Sequence, residues 1–206
     1  MELGFIDAKA GHTDDMFQRV IEEYVDQRIL VFNEEIDDCV LENYILFILK
    51  WNQEDNKAGI PYKKRLPIKL YINSPGGDLF AGSMMLDVIT QSKTPIIGVA
   101  FGMVGSMAYH IYLACHERIA FKNSVFCQHE GDVAVANSAS KAKDTMDFFS
   151  QMDERLNQHI LDRTKMEPEY LEAKAKNEYF MYADEAKEYG IVDKIIGSDC
   201  TLNYII

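Results

Sequence analysis

The sequence predicts an α/β fold in a single domain: a parallel sheet built from strand-helix-strand units, with one long helix projecting from it. Three observations carry this. Two apolar runs, Ile68-Lys69-Leu70-Tyr71-Ile72 and Ile96-Ile97-Gly98-Val99-Ala100-Phe101, read as strands, and each leads through a glycine turn toward a helix. Between them, Met84 over Val88 and Met85 over Ile89 keep i,i+4 spacing behind Asp78, a good N-cap, so this stretch is a crossover helix. Finally, Thr145, Phe149, Met152, Leu156 and Ile160 form one apolar stripe within 141–165, a helix of roughly 37 Å, more than a small domain needs to cover its own sheet.

In chain order, residues 1–12 carry little pattern, and 1–13 is expected to be mobile. From Asp14 or Asp15, the apolar positions Met16, Phe17, Val20, Ile21 and Tyr24 mark an amphipathic helix. Arg28 to Phe32 reads as a strand and 36–51 as a helix carrying Val40, Tyr44, Phe47 and Ile48. The polar stretch 52–67, with Lys63-Lys64-Arg65, reads as a solvated loop. The strand at 96–101 is bounded by Gly102, and a helix starts at about Ser106. Strands follow at 118–121 and 125–129, joined by Lys122-Asn123-Ser124. Residues 131–137 form a weak strand segment, with Ser138 or Ser140 as N-cap of the long helix. A short helix at 183–189 stops at Gly190, and 191–196 closes the sheet.

Composition narrows the function. The 206 residues are 48% hydrophobic, enough for one sizeable core, and the net charge of −12 argues against nucleic acid or an anionic membrane surface as partner. No run approaches the length of a membrane span, and no secretory signal pattern opens the chain, so a cytoplasmic protein is expected. Cys39, Cys115, Cys127 and Cys200 lie far apart, which fits reduced thiols better than a disulfide frame or a zinc site.

The chemistry sits where the two glycine turns meet one edge. A right-handed crossover sets the two strands parallel, so Gly77 and Ser106 reach the same end of the sheet. Ser106 then stands at a helix start, and the amides of Met107 and Gly77 are two donors for a developing oxyanion. A serine nucleophile needs a base. By alternation Val125, Cys127 and His129 share a face, and His129 and His110, the latter one helical turn from Ser106, are both candidate bases. Cys127 is a rival nucleophile that lacks oxyanion donors in mid-strand.

Asn73-Ser74-Pro75-Gly76-Gly77, Gly102-Met103-Val104-Gly105-Ser106-Met107, Asn123-Ser124 with His129, and Phe180 with the 183–193 segment together resemble the Clp protease proteolytic subunit family from about Asp26 to Ile196. The resemblance implies a crotonase-like βαβ superhelix whose 138–165 helix is a handle between rings. It implies a serine endopeptidase with Ser106 as nucleophile, His129 as base and Glu178 as acid. Asn177 is the alternative for the acid, because the family's aspartate position is occupied here by glutamate. Gly77 and Met107 would form the oxyanion hole, and Leu79 and Gly131 would bind substrate. The implied assembly is a homo-oligomer, two heptameric rings stacked as a tetradecamer. An AAA+ unfoldase would feed it unfolded proteins and consume the ATP; the chain itself would need no cofactor and no metal. Lys176-Asn177 departs from the acid–arginine pair expected between rings, and Lys69 from an aromatic near the unfoldase pocket. Two alternatives remain: a catalytically weak structural ring subunit, and a crotonase-type acyl-CoA hydratase or isomerase.

Overall fold

Alternation organises the first central strand, β2 (Ile68–Ser74): Ile68, Leu70 and Ile72 are wholly buried, while Lys69, Tyr71 and Asn73 face the other way. The computed structural model describes residues 10–131, 136, 138–175 and 177–206. Beside β2 runs β3 (Ile96–Gly105), parallel and in register from Ile68 opposite Ile96 to Ile72 opposite Ala100. The helix between them, α3 (Leu79–Gln91), is the expected crossover, and Asp78 Oδ1 accepts the amide of Ala81 at 2.8 Å as its cap. β3 does not stop at Gly102. The register shifts between Ile72 and Ser74, and Asn73 Oδ1 accepts the Met103 amide at 2.9 Å, so a side chain bridges the irregularity and lets the strand run on to Ser106.

The main sheet path is β1 (Ile29–Phe32), β2, β3, β4 (Glu117–Phe121) and β7 (Lys194–Ile196), all parallel. β5 (Val125–Gln128) pairs with the far half of β3, also parallel, and then with the antiparallel β6 (Tyr179–Tyr182). Thus β4 and β5 are successive stretches travelling the same way along one side of β3. Buried Ser124 marks the step between them, its Oγ donating to Ala100 O at 2.8 Å.

One face of the sheet carries the main core. There α4 (Met107–Ala114) is buried at every position, with Tyr109, Tyr112 and Met107 among its largest residues. The other face holds a smaller group, Val99, Ile119 and Ile205, flanked by Tyr71, Phe101 and Phe121.

Several boundaries differ from expectation. The first helix, α1 (Ala10–Asp26), starts earlier than Asp14; the remainder of the expected mobile segment, residues 1–9, lies outside the described residues. The helix expected at 36–51 is a π-helical turn, Leu41–Ile45, followed by α2 (Leu46–Lys57), so it reaches well into the expected loop. Burial of polar groups explains this. Asp55, 2% exposed, receives both Arg28 guanidinium nitrogens at 2.8 Å and Thr94 Oγ1 at 2.7 Å, and Asn52 accepts the amides of Lys93 and Thr94 at 2.8 and 3.0 Å. These partners are 27 to 42 residues away, so no local pattern reveals them. Arg65 is likewise turned inward, bound to Ile60 O, Asn56 Oδ1 and Thr94 Oγ1, and is not a free basic group.

The long helix, α5 (Ala139–Arg163), begins directly after Ser138, and among its residues only Ile160 is buried. Its last turn is locked: Arg163 donates to Leu113 O and Cys115 O at the end of α4, and Arg118 donates to Arg163 O. Its outer part presents Met146 and Phe148, with Phe148 stacked on Phe80 of α3. Two elements were not anticipated, α6 (Pro168–Ala175), which opens on a proline suited to a first helical position, and β6. The helix α7 (Ala183–Glu188) follows β6. The segment expected at 131–137 and Lys176 fall largely or wholly outside the described residues. Among the described residues, no helix is long and apolar enough to cross a membrane.

Candidate active site

Ser106 occupies a forced turn. It joins β3 to α4 with φ 50° and ψ −126°, a region that costs a non-glycine residue about 1–3 kcal/mol. Its amide is held by Cys127 O at 2.9 Å, which ties the turn to β5. Gly76 presses against it from the neighbouring turn: a Cβ there would lie 2.6 Å from Ser106 Cβ and 2.8 Å from Gly105 O, at φ +105°. Only glycine fits, and the side chain of Ser106 is pushed out toward solvent-accessible space.

The two expected amides are available. Gly77 has its neighbours Gly76 O and Asp78 N bonded to Ile36, but its own N–H has no hydrogen-bond partner among the described residues, and the same is true of the Met107 N–H at the first position of α4. The Met107 nitrogen lies 2.9 Å from where a Gly76 Cβ would stand, so both turns meet at Ser106. Orphan amides at a helix start attract negative charge.

Register carries the histidine to the same place. Gly105 pairs with Cys127, so Ser106 and Met107 come level with Gln128 and His129 one step further on. On the other side Gln128 pairs with Tyr179, which brings Glu178 level with His129. The ends of three strands therefore bring Met107, His129 and Glu178 to one level, with Ser106 one residue before it. Ser106, Met107 and His129 line a cleft of about 310 Å³, together with Leu79 and Gly131. Apolar side chains of α5 and α6, Leu156, Leu161 and Leu171, wall it, and Glu130, Asp153 and Glu172 add negative charge. Burial, and then the charge of Glu130, push the Asp153 carboxyl above the usual carboxylate range.

The side-chain links of a working triad are not made in this arrangement. No hydrogen bond joins Ser106 to His129 among the described residues. His129 Nδ1 meets Glu130 O at 2.7 Å, and a carbonyl only accepts, so Nδ1 carries the proton and Nε2 is the basic nitrogen. Glu178, exposed at the start of β6, turns its Oε1 to Cys127 Sγ, which donates to it at 3.7 Å. Asn177 is exposed, and its amide donates to Lys174 O.

The rival groups are occupied otherwise. His110 is 1% exposed, its Nε2 receives Gln128 Nε2 at 3.1 Å, and burial followed by the neighbouring His159 pushes its pKa down to about 3. The same Gln128 amide donates to His129 O at 3.2 Å, so Gln128 links His110, which also lines the cleft, to the His129 backbone. Cys127 is 2% exposed, and burial, then the Glu178 charge, push its thiol up to about 11, far from a reactive thiolate. Sequence reasoning missed Gln128, Asp153 and the Cys127–Glu178 contact. Counting residues from Gly105 and Cys127 along the ladder would have exposed the first.

Fold and cleft together fit a serine peptidase built on an α/β sheet. Residues 11–199 match the family model described as Clp protease, and the chain belongs to that family. It is 29% identical over 184 residues to ATP-dependent Clp protease proteolytic subunit 2 of Bacillus licheniformis, covering 88% of this chain and 90% of the relative. To proteolytic subunit 1 of Bacillus cereus it is 30% identical over 184 residues, covering 88% and 89%. Among solved structures, a point mutant of ClpP1 from Listeria monocytogenes superposes with a TM-score of 0.74 at 25% identity, covering 91% of this chain and 99% of that one. The protein is a proteolytic subunit of the Clp type, and these relatives give no support to a crotonase-type hydratase or isomerase.

Proposed function

We propose that Ser106 attacks the carbonyl of an extended polypeptide while His129 Nε2 takes its proton and later returns it to the leaving amine. Gly77 and Met107 receive the oxyanion, and Glu178 turns onto His129 Nδ1 to stabilise the imidazolium. The observation that supports this best is the convergence of Ser106, forced into a strained turn, with Met107 and His129 in one cleft, beside the glycine turn of Gly77, whose amide like that of Met107 is unpaired among the described residues. Leu79 and Gly131 flank the scissile residue there. The chemistry asks for no cofactor and no metal of this chain. The working particle is a homo-oligomer of heptameric rings stacked as a tetradecamer in the cytoplasm. It receives unfolded protein from an AAA+ unfoldase that hydrolyses the ATP, and it has no nucleic-acid or membrane partner.

One observation favours a second reading, the catalytically weak structural ring subunit: the acid rests on Cys127 and not on the base. Intact-protein mass after treatment with a fluorophosphonate separates the two. The peptidase reading expects one adduct on the unmodified chain and none on Ser106→Ala or His129→Ala. An unmodified chain that runs as a ring-sized particle yet stays unlabelled supports the structural subunit instead.

A further inference from the structure

We infer that Cys127 is a positioning residue whose thiol competes with the His129 imidazole for Glu178 and so holds the acid of the site in reserve. The inference rests on the reading of Ser106, His129 and Glu178 as the working groups. Geometry carries it. Cys127 lies on β5 and His129 directly follows its last residue, two positions on from Cys127, and the β6 pairing of Gln128 with Tyr179 sets Glu178 level with His129 and diagonal to Cys127. A glutamate side chain at that point reaches either neighbour without any change of backbone register. In the structure it has taken the thiol, Sγ to Oε1 3.7 Å, and His129 Nδ1 has taken the Glu130 carbonyl at 2.7 Å.

The chemistry of the two competitors differs in a useful way. The Cys127 thiol keeps its proton through the neutral range, because burial and the Glu178 charge raise its pKa to about 11, so it remains a donor to the carboxylate. It is a weak donor, and the contact is readily exchanged for a charge-assisted one once His129 becomes cationic. The Glu130 carbonyl already selects the tautomer that leaves Nε2 basic. What it cannot supply is a negative charge beside the imidazolium, which Glu178 brings from the β6 side. Cys127 has no other evident duty, being buried, neutral and without donors for an oxyanion around it.

The test uses the full-length assembled chain and two substitutions that move the competition in opposite directions. Cys127→Val removes the donor and adds roughly one methyl group of apolar volume. Cys127→Ser keeps a donor, and a stronger one. The rate of Ser106 labelling by a fluorophosphonate is followed from pH 5.5 to 9, and the His129 imidazole is titrated by NMR in a Ser106→Ala background. Glu130, Asp153 on α5, Glu172 on α6, His110 on α4 and Glu178 itself are present in all these proteins, so differences between them report on position 127. Cys127→Val is expected to label about 3- to 10-fold faster and to raise the His129 pKa by about half a unit or more, and both gains vanish when Glu178→Gln is added. Cys127→Ser is expected to label at or below the unmodified rate. Equal effects of Val and Ser, or a gain that survives Glu178→Gln, overturn the inference and reduce Cys127 to packing. Absence of Ser106 labelling in every variant, with His129 titrating identically in all, overturns the reading of the nucleophile as well.

Discussion

The two halves of the cleft are built by different means. On the serine side everything is backbone: Ser106 sits at positive φ, Gly76 leaves no room for a Cβ, and the free amides of Gly77 and Met107 belong to turns clamped by Ile36 and Cys127 O. On the acid side the backbone delivers only the register. Glu178 is exposed at the start of a four-residue strand, and its partner is decided by a side-chain rotation. In the mechanism proposed above, a site assembled this way pairs a fixed nucleophile and oxyanion pocket with an adjustable acid. Contacts that bear on β6 can therefore govern activity without disturbing the serine.

Substitutions measure that contrast. Ser106→Ala is expected to lower peptide turnover by about 10,000-fold or more and to abolish fluorophosphonate labelling, with thermal stability little changed because alanine keeps the same Cβ and the same strained backbone. Peptidase assays beside calorimetry check both halves of this expectation. Gly76→Ala attacks the same side through the backbone. Its Cβ would meet Ser106 Cβ at 2.6 Å, so a displacement of the nucleophile should cost about 100-fold in kcat together with several degrees of Tm. A normal kcat in a Gly76→Ala protein would show that the serine side is not rigid.

On the adjustable side the effects are smaller. Glu178→Gln is expected to reduce kcat by about 10-fold while KM and assembly stay near their original values, since the resting site already lacks the acid on His129. A loss as large as that of Gly76→Ala would mean that the acid is engaged throughout turnover.

The smallest effect is a pH slope. His110 is held neutral, pushed down to about 3 by burial, while an unfolded histidine titrates near 6.5. Below pH 6.5 the unfolded chain takes up a proton that the folded chain refuses, so stability falls as the pH drops from about 6.5 toward 3. Burial lowers the pKa of His159 in the same direction. Between pH 7.5 and 5.5 the His110 contribution amounts to about 1 kcal/mol, and urea unfolding of His110→Phe at the two pH values should show a slope reduced by that amount.

How much of this was legible in the chain differs from element to element. Alternation in 68–72, the Asp78 cap and the i,i+4 pairs of α3 sufficed to place the central strand-helix-strand unit, because those signals are local. That Gly77 and Ser106 lie at one sheet edge followed from the right-handed crossover, while their expected roles came from the family resemblance. The C-terminal end of α2 reads as loop in the sequence because its stability comes from Arg28 reaching Asp55 and from Asn52 reaching Lys93 and Thr94. β6 escapes notice because a four-residue antiparallel edge strand carries almost no periodic signal of its own; its evidence is the ladder with β5.

The order of the local elements, the glycine turns and the types of residue available for chemistry belong to the sequence, because propensity, alternation and backbone chirality act over a few residues. Which of those groups meet is a tertiary matter. The shift of pairing along β3 from β4 to β5 set His129 beside Met107, and the ladder from β5 to β6 set Glu178 beside both His129 and Cys127. Side-chain packing gave the Glu178 carboxylate to the Cys127 thiol and His129 Nδ1 to the Glu130 carbonyl, and nothing in the linear order of residues ranks those partners.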